Sequence, residues 1–395
     1  MLGDILRAID GGDLAALTLL PVSGFRQIDH TILLRRLKVS YGMGGSVLSW
    51  FASYLNGRTQ FVRCGTKRST PGYVLCGVPQ GSVLGPILFL LYTADLLKLI
   101  ESHDLRPHLY ADDTQIYGFC RPGDTAWLQS RVSLCVCEVA LWMRTNRLQL
   151  NDGKTEFIWC SSCRRQHQIP DTPLMVGTDA VMPVRSVRDL GIYIDSDVSM
   201  RTHVAKTVSS CFSALRQIRS IRRSVTRPVL LSLVVSMVLT RLDYGSTTLA
   251  GLPDQLLHKL QSVLNAAARL VCSGRKYDHI TPLLRDLHWL SFPERITFRL
   301  AVLAYRCQHG LAPTYLASEL HRVADDDSHQ RLRSATTAAL LVPRTRLSTV
   351  GDRAFPVAAA RAWNVLPPSV TSAPSLSIFK RRLKTVLFSG CYAGD

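Results

Sequence analysis

Hydrophobic positions over residues 1–200 switch between an every-second and a three-to-four spacing, which predicts short strands alternating with helices. Over 201–323 the spacing is almost wholly helical, and after Asp325, Asp326 and Asp327 comes a basic stretch with several prolines. These changes predict three regions: an α/β domain over 1–200, a helical domain over 201–323 and a C-terminal tail over 324–395. Pro86 stands where a first helical turn accepts proline, and Ile87, Leu88, Leu91 and Leu97 predict a helix apolar enough to be buried. A second helix is predicted over 125–146, with Leu128, Val132, Cys135, Val139 and Trp142 on one stripe. Between them, residues 108–119 (HLYADDTQIYGF) carry β-branched and aromatic residues on both sides of Asp112 and Asp113, predicting two strands that meet at an acidic turn. Residues 229–239, after Pro228 and before Arg241 and Asp243, predict a buried core helix. No internal repeat or low-complexity tract interrupts this organisation.

Composition adds a partner and a compartment. At 395 residues and 47% hydrophobic content the chain can bury two or three cores, which excludes disorder as its organising state. The 47 Lys and Arg against 29 Asp and Glu leave a formal charge of +18, which suits a polyanion, either nucleic acid or an acidic membrane surface. The opening MLGDILRAIDGGDLAALTLLP has acids where a secretory signal carries basic residues, and no segment supplies about 18 uninterrupted apolar residues, so neither export nor a membrane span is expected. The 11 cysteines are odd in number and scattered, as free thiols in a reducing, intracellular compartment would be, nuclear or cytoplasmic. Cys160, Cys163 and His167 lack the second half of a zinc knuckle, so a strand end passing into a loop is expected there.

The chemistry centres on Asp112 and Asp113. Adjacent aspartates at a hairpin tip present oxygens suited to Mg²⁺, although an Asp-Asp turn is also an ordinary solvated turn. Upstream lies Gly77-Val78-Pro79-Gln80-Gly81-Ser82-Val83-Leu84-Gly85-Pro86, whose glycines allow close backbone approach and whose Gln80 and Ser82 offer hydrogen bonds. GVPQGSVLGPILFLLYTADL followed by HLYADD resembles the reverse transcriptases of non-LTR, LINE-type retrotransposons. That resemblance implies an α/β (α+β) fold: a right-hand polymerase palm with an antiparallel sheet and backing helices, followed by a mostly helical thumb and C-terminal region.

It implies RNA-directed DNA synthesis from deoxynucleotide triphosphates on an RNA template with a DNA primer, or an RNA/DNA hybrid. Two Mg²⁺ would be held by Asp112 and Asp113, with Gln80, Gly81, Ser82 and Tyr110 against the nucleotide or template. Asn151, Asp152 and Gly153 make a turn, and Lys154 after it resembles the lysine that protonates the leaving pyrophosphate; a surface lysine beside Glu156 is an equally common arrangement. Leu190, Gly191 and Ile192, in a stretch that alternates like a strand, are similar to the family's primer grip; an ordinary strand with a bulge reads the same way. Beyond it Lys206, Arg216, Arg219, Arg223 and Arg227 supply cations for a nucleic-acid backbone. The resemblance extends to Trp363-Asn364-Val365-Leu366-Pro367, where it implies kinship only, and residues 379–387 are a short basic helix candidate.

One stretch departs from the family. Where its first metal-binding strand reads like LLDLSAAFDTVDH, this chain has Leu19-Leu20-Pro21-Val22-Ser23-Gly24-Phe25-Arg26-Gln27-Ile28-Asp29-His30, with Pro21 in the place of the aspartate and one residue missing before Phe25, the counterpart of the aromatic gate against the ribose 2′-hydroxyl. A one-residue slip reverses the faces of a strand, so Phe25 is expected to lose its aim. Asp13 and Asp29 would replace the lost carboxylate only if the chain were rerouted. Most of the fingers region would precede residue 1. The expected function is therefore RNA-directed DNA synthesis impaired at Pro21; the competing expectation is a catalytically dead nucleic-acid-binding remnant or reused scaffold. An RNA-dependent RNA polymerase shares the two-aspartate hairpin but fits the GVPQGS loop poorly.

Overall fold

The computed structural model describes residues 1–23, 27–79, 81–177, 179–325 and 339–392. Its contacts divide into two compact units, one over Gly12–Val187 and one combining Leu2–Gly11 with Arg188–Asp395. Helix α1 (Leu2–Gly11), which buries Ile5, Leu6 and Ile9, thus belongs to the second unit.

The first unit is built around β1 (Leu14–Ser23), whose LAALTLLPVS has residues 14–20 all buried, so the strand is covered on both faces. After it come α2 (His30–Val39) and α3 (Gly45–Leu55), then two short ladders of β2 (Thr59–Gln60) with β5 (Gly72–Tyr73) and β3 (Arg63–Cys64) with β4 (Lys67–Arg68). Helices α4 (Leu84–Thr93) and α5 (Asp95–Ser102) lead into the hairpin of β6 (Arg106–Tyr110) and β7 (Asp113–Cys120). Helix α6 (Thr125–Thr145) precedes β8 (Gln149–Leu150) and β9 (Glu156–Cys160), and β10 (Leu174–Val176) pairs with β11 (Asp179–Val181). The main sheet runs β6-β7-β1-β8 with β9 also on β1, and every one of these pairings is antiparallel. Helix α6 buries Leu128, Val132, Cys135, Val136, Val139 and Met143, at the helical spacing expected for this stretch.

Two expectations need correction here. The apolar helix after Pro86 is two helices that join at Ala94, and it is buried on one face only: Leu88, Phe89 and Leu96 are inside while Ile87 and Leu97 are exposed. Nearly continuous apolar composition overstates burial, because folded surfaces also carry much apolar area. Likewise residues 229–239 form α8 with a π-turn; Leu230, Val234, Val238 and Leu239 are buried, and Val229 and Val235 are exposed.

The chain crosses between units within β12 (Ser186–Asp189), which pairs with β13 (Ile192–Asp195). The second unit is then helical: α7 (Arg201–Ile221), α8 (Arg227–Val234), α9 (Thr240–Asp243), α10 (Asp254–Cys272), α11 (Ile280–Asp286), α12 (Phe292–Gln308), α13 (Thr314–Ala317), α14 (Phe355–Asn364), α15 (Pro368–Thr371) and α16 (Leu376–Tyr392). Its core includes Trp363 of α14 and Phe379 of α16, and Phe379 stacks on Tyr305 of α12 at 4.4 Å between ring centroids. The whole is therefore α/β, an antiparallel sheet with helices followed by a helical C-terminal region. Among the described residues no helix is long and apolar enough to cross a membrane, and the cysteines form no disulfide. Cys160 ends β9 inside the core while Cys163 opens an exposed 3₁₀ turn.

Candidate functional site

Tyr110 pairs with Asp113 across β6 and β7, so the hairpin loop consists of Ala111 and Asp112 alone. A two-residue loop needs a left-handed residue to match the strand twist, and Ala111 supplies it with φ 53°, at a cost of roughly 1–2 kcal/mol for a residue bearing a Cβ. The hairpin is held from behind by the 2.6 Å hydrogen bond of His108 Nδ1 with Gln115 Oε1 across the two strands. Asp112 is half-buried and Asp113 is exposed as a residue, yet its carboxyl titrates above the ordinary carboxylate value, first through lost hydration and then through the charge of Asp112. Tyr110 stands beside them, exposed.

Pro21 of β1 is the direct partner of Asp113. The Val22 N–H donates to the Asp112 carbonyl at 2.9 Å, so the backbone of the preceding residue faces the other way, toward β8 and β9. Proline is tolerated in this central strand for that reason. Its missing N–H falls where the ladder is interrupted, since Leu19 faces Glu156 while Val22 faces Leu150, and the residues of the turn Asp152–Lys154 bulge out between. The Pro21 carbonyl still accepts from the Asn151 N–H at 3.2 Å. Lys154 therefore sits, exposed, in a bulge beside the strand position that faces Asp113, and bulges of this kind re-aim side chains.

Neither rerouted acid is available to this site. The Asp29 carboxylate accepts from the Ile32 N–H as the N-cap of α2 and pairs with Arg147 at 2.6 Å. Asp13 precedes the opposite end of β1, eight residues from Pro21, roughly 26 Å along an extended strand. Among the described residues no third His, Cys, Asp or Glu joins Asp112 and Asp113 in a group that would hold a metal ion. Two carboxylates fit one Mg²⁺ that brings most of its ligands as phosphate and water; they do not fit a pair of ions sharing carboxylates from two strands.

The other expected residues are spread over both units. In the glycine-rich loop Gly81 has φ 79°, and the Ser82 hydroxyl donates to the Pro79 carbonyl at 2.7 Å and accepts from the Gly85 N–H at 3.0 Å, so it fastens the start of α4. Gln80 and Phe25 lie outside the described residues. Leu190 and Gly191 form the turn of the β12–β13 hairpin, both with positive φ, and this tip is clasped within the second unit: the Tyr244 hydroxyl donates to the Leu190 carbonyl at 2.7 Å. Ile192 lies against Gly245, where an added Cβ would meet it at 2.6 Å. Sequence reasoning missed Tyr244, because nothing local joins it to a turn 54 residues earlier. On α7 and just beyond it, Lys206, Arg216, Arg219 and Arg223 are exposed and have no ion pair among the described residues. Arg227 differs, since it pairs with Asp286 at 2.9 Å.

Residues 16–194 match the family described as reverse transcriptase (RNA-dependent DNA polymerase), a span that holds the main sheet from the third β1–β7 pair onward, the β6–β7 hairpin and all but the last residue of the β12–β13 hairpin. The chain is 26% identical over 255 residues to the probable RNA-directed DNA polymerase from transposon BS of Drosophila melanogaster, covering 62% of this chain and 28% of that one. It is 24% identical over 257 residues to the probable RNA-directed DNA polymerase from transposon X-element of the same species, covering 64% and 28%. To the RNA-directed DNA polymerase from mobile element jockey of Drosophila funebris it is 26% identical over 160 residues, covering 38% and 16%. The chain is thus similar to RNA-directed DNA polymerases of transposable elements, and it matches less than a third of the length of these relatives.

Proposed function

We propose that this chain is the palm and thumb part of an RNA-directed DNA polymerase in which two-ion catalysis is disabled on β1, leaving a nucleic-acid binder with at most trace polymerase activity. The observation that carries this reading is the pairing of Pro21 with Asp113. Opposite residues of a non-hydrogen-bonded pair share a face with Cβ atoms about 4.5–5.5 Å apart, the spacing at which two carboxylates can share a cation. An imino-acid ring at that position offers no oxygen. Asp112 and Asp113 remain as ligands for a single Mg²⁺ arriving with a deoxynucleotide triphosphate.

In this reading the palm covers 1–200, the thumb 201–323, and 324–395 follows as the C-terminal region. Gly81, Ser82 and Tyr110 lie toward nucleotide and template, and Lys154 supplies a proton to the departing pyrophosphate. Leu190, Gly191 and Ile192 steady the primer end, while Lys206, Arg216, Arg219 and Arg223 meet the backbone of the primer–template duplex. Arg227 contributes less, because Asp286 already neutralises it. Titration with Mn²⁺ in the presence of primer–template and a non-hydrolysable deoxynucleotide, followed by electron paramagnetic resonance, counts the ions. One bound ion or none is expected; a coupled pair of Mn²⁺ that disappears in Asp112→Ala contradicts the reading.

A further inference from the structure

Helix α3 and the hairpin after it form a surface that the catalytic reading leaves unused. Between Asp29 and Asp95 the sequence contains no acid, against seven Lys and Arg. Helix α3 (GSVLSWFASYL) carries no charge and buries only Leu55. Trp50 is 54% exposed and stacks on Tyr54, with ring centroids 5.6 Å apart and planes 8° from parallel. The Arg58 guanidinium lies over the other end of this column, 5.2 Å from the Tyr54 ring centre. Residues 50 and 54 are one four-residue helical step apart on α3, and Arg58 follows just after the helix ends, so the column runs from α3 into the hairpin.

The hairpin continues the pattern. Residues 59–73 are exposed throughout, which leaves the hairpin without a core of its own, a state in which two strands are at best marginally stable in water. Phe61 and Tyr73 are exposed, and the Arg68 guanidinium covers the Phe61 ring at 4.9 Å. Near the tip Arg63 stands directly opposite Arg68, and Lys67 opposite Cys64. Like charges directly opposite across a ladder repel, and no acid among the described residues offsets Arg63, Lys67 or Arg68. The base is anchored: the Val74 N–H donates to the Arg58 carbonyl at 2.8 Å and the Gly77 N–H to the Ile28 carbonyl at 2.7 Å.

We infer that this face, Trp50, Tyr54 and Arg58 together with Phe61, Arg63 and Arg68, is a binding platform for single-stranded nucleic acid. A single strand supplies both things the surface lacks, phosphates for the unbalanced cations and flat unpaired bases for the exposed rings. A duplex would satisfy the charges but not the rings, and a protein partner would need carboxylates placed against both Arg63 and Arg68 beside apolar groups for the rings, whereas every nucleotide of a single strand brings a phosphate and a base together. Binding here requires neither metal nor nucleotide, so it stands apart from the polymerase reading.

The test uses the whole chain in EDTA with a fluorescein-labelled 12-nucleotide oligouridine, measuring fluorescence anisotropy over a series of NaCl concentrations. Replacing Arg63, Lys67 and Arg68 with alanine should lower the slope of log K against log salt by about 2. Trp50→Ala should weaken binding by about 5- to 100-fold. With 4-thiouridine in the oligomer, cross-links on the unaltered chain should map to 50–73, a readout that needs no variant to fold. Wild-type slope and affinity in the triple variant, or cross-links confined to the second unit, would overturn the inference. So would self-association of the chain that Trp50→Ala abolishes while oligouridine binding is unchanged, because the face would then belong to a protein contact.

Discussion

Pro21 and Ala111 meet at the same end of the sheet, and each is an unusual residue for its backbone. Ala111 holds the left-handed φ that its two-residue loop requires, so Ala111→Gly removes a cost of about 1–2 kcal/mol and loses part of it again to the freedom of glycine in the unfolded chain. Thermal unfolding should move up by about 1–3 °C; a lower Tm would contradict the conformation assigned to the loop. Asp113 adds a pH dependence with a definite sign. Its folded value lies above the ordinary 3.8, so folding favours the protonated acid; that contribution is complete below about pH 3.8 and is lost as pH rises through the folded value. Asp113→Asn should therefore raise Tm slightly at pH 7, by about 1 °C since water screens the exposed residue, and should leave it unchanged near pH 3. Equal shifts at both pH values would contradict this account. Asp112 and Asp113 were legible in the sequence from the acidic turn between two apolar strands, and Pro21 only from the family resemblance, because β1 is buried on both faces and shows no alternation. The bulge carrying Lys154 was not, since it exists only through the registers of β8 and β9 against the same third strand.

At the scale of elements, the helix over 125–146 and the acidic hairpin follow directly from period and turn chemistry, and the structure places α6 and the β6–β7 turn within a residue of those expectations. The helices after Pro86 show why period alone is weak in nearly uniform apolar runs: with no polar face to mark, the stretch does not reveal which side meets the sheet or that it divides at Ala94. Residues 379–387 read as a short basic helix, whereas α16 spans Leu376–Tyr392 and seats Phe379 and Leu383 in the core. Only contact with distant Tyr305 and Trp363 discloses that role. Trp363→Ala should accordingly cost about 3–5 kcal/mol in denaturant unfolding of the second unit, and a loss under 1 kcal/mol would show that α14 is not part of its core. Gly191 is the other sensitive position in this unit. Its φ of 84° strains any side chain, and an added Cβ would meet the Tyr244 ring at 3.1 Å, so Gly191→Ala should destabilise the hairpin by about 1–2 kcal/mol.

For the molecule as a whole, the charge of +18 reaches function through position as much as through amount. Arg36, Arg131, Arg295 and Arg361 are neutralised by local acids, whereas among the described residues Lys206, Arg216, Arg219 and Arg223 have no ion pair, and in the proposed reading these four meet a duplex. Removing those four should lower the salt slope of duplex binding by about 3 to 4 while the single-strand slope changes less. Charge in the sequence thus announces a polyanion; which cations remain available is decided only when the chain folds and pairs the rest. The most direct test of the central claim is primer extension on an RNA template with Mg²⁺ and deoxynucleotides, comparing the unaltered chain with Pro21→Asp. Trace incorporation that rises about 100-fold in the variant, roughly 3 kcal/mol off the barrier, is the expected result. Robust incorporation by the unaltered chain, abolished by Asp112→Ala and not improved by Pro21→Asp, would contradict it.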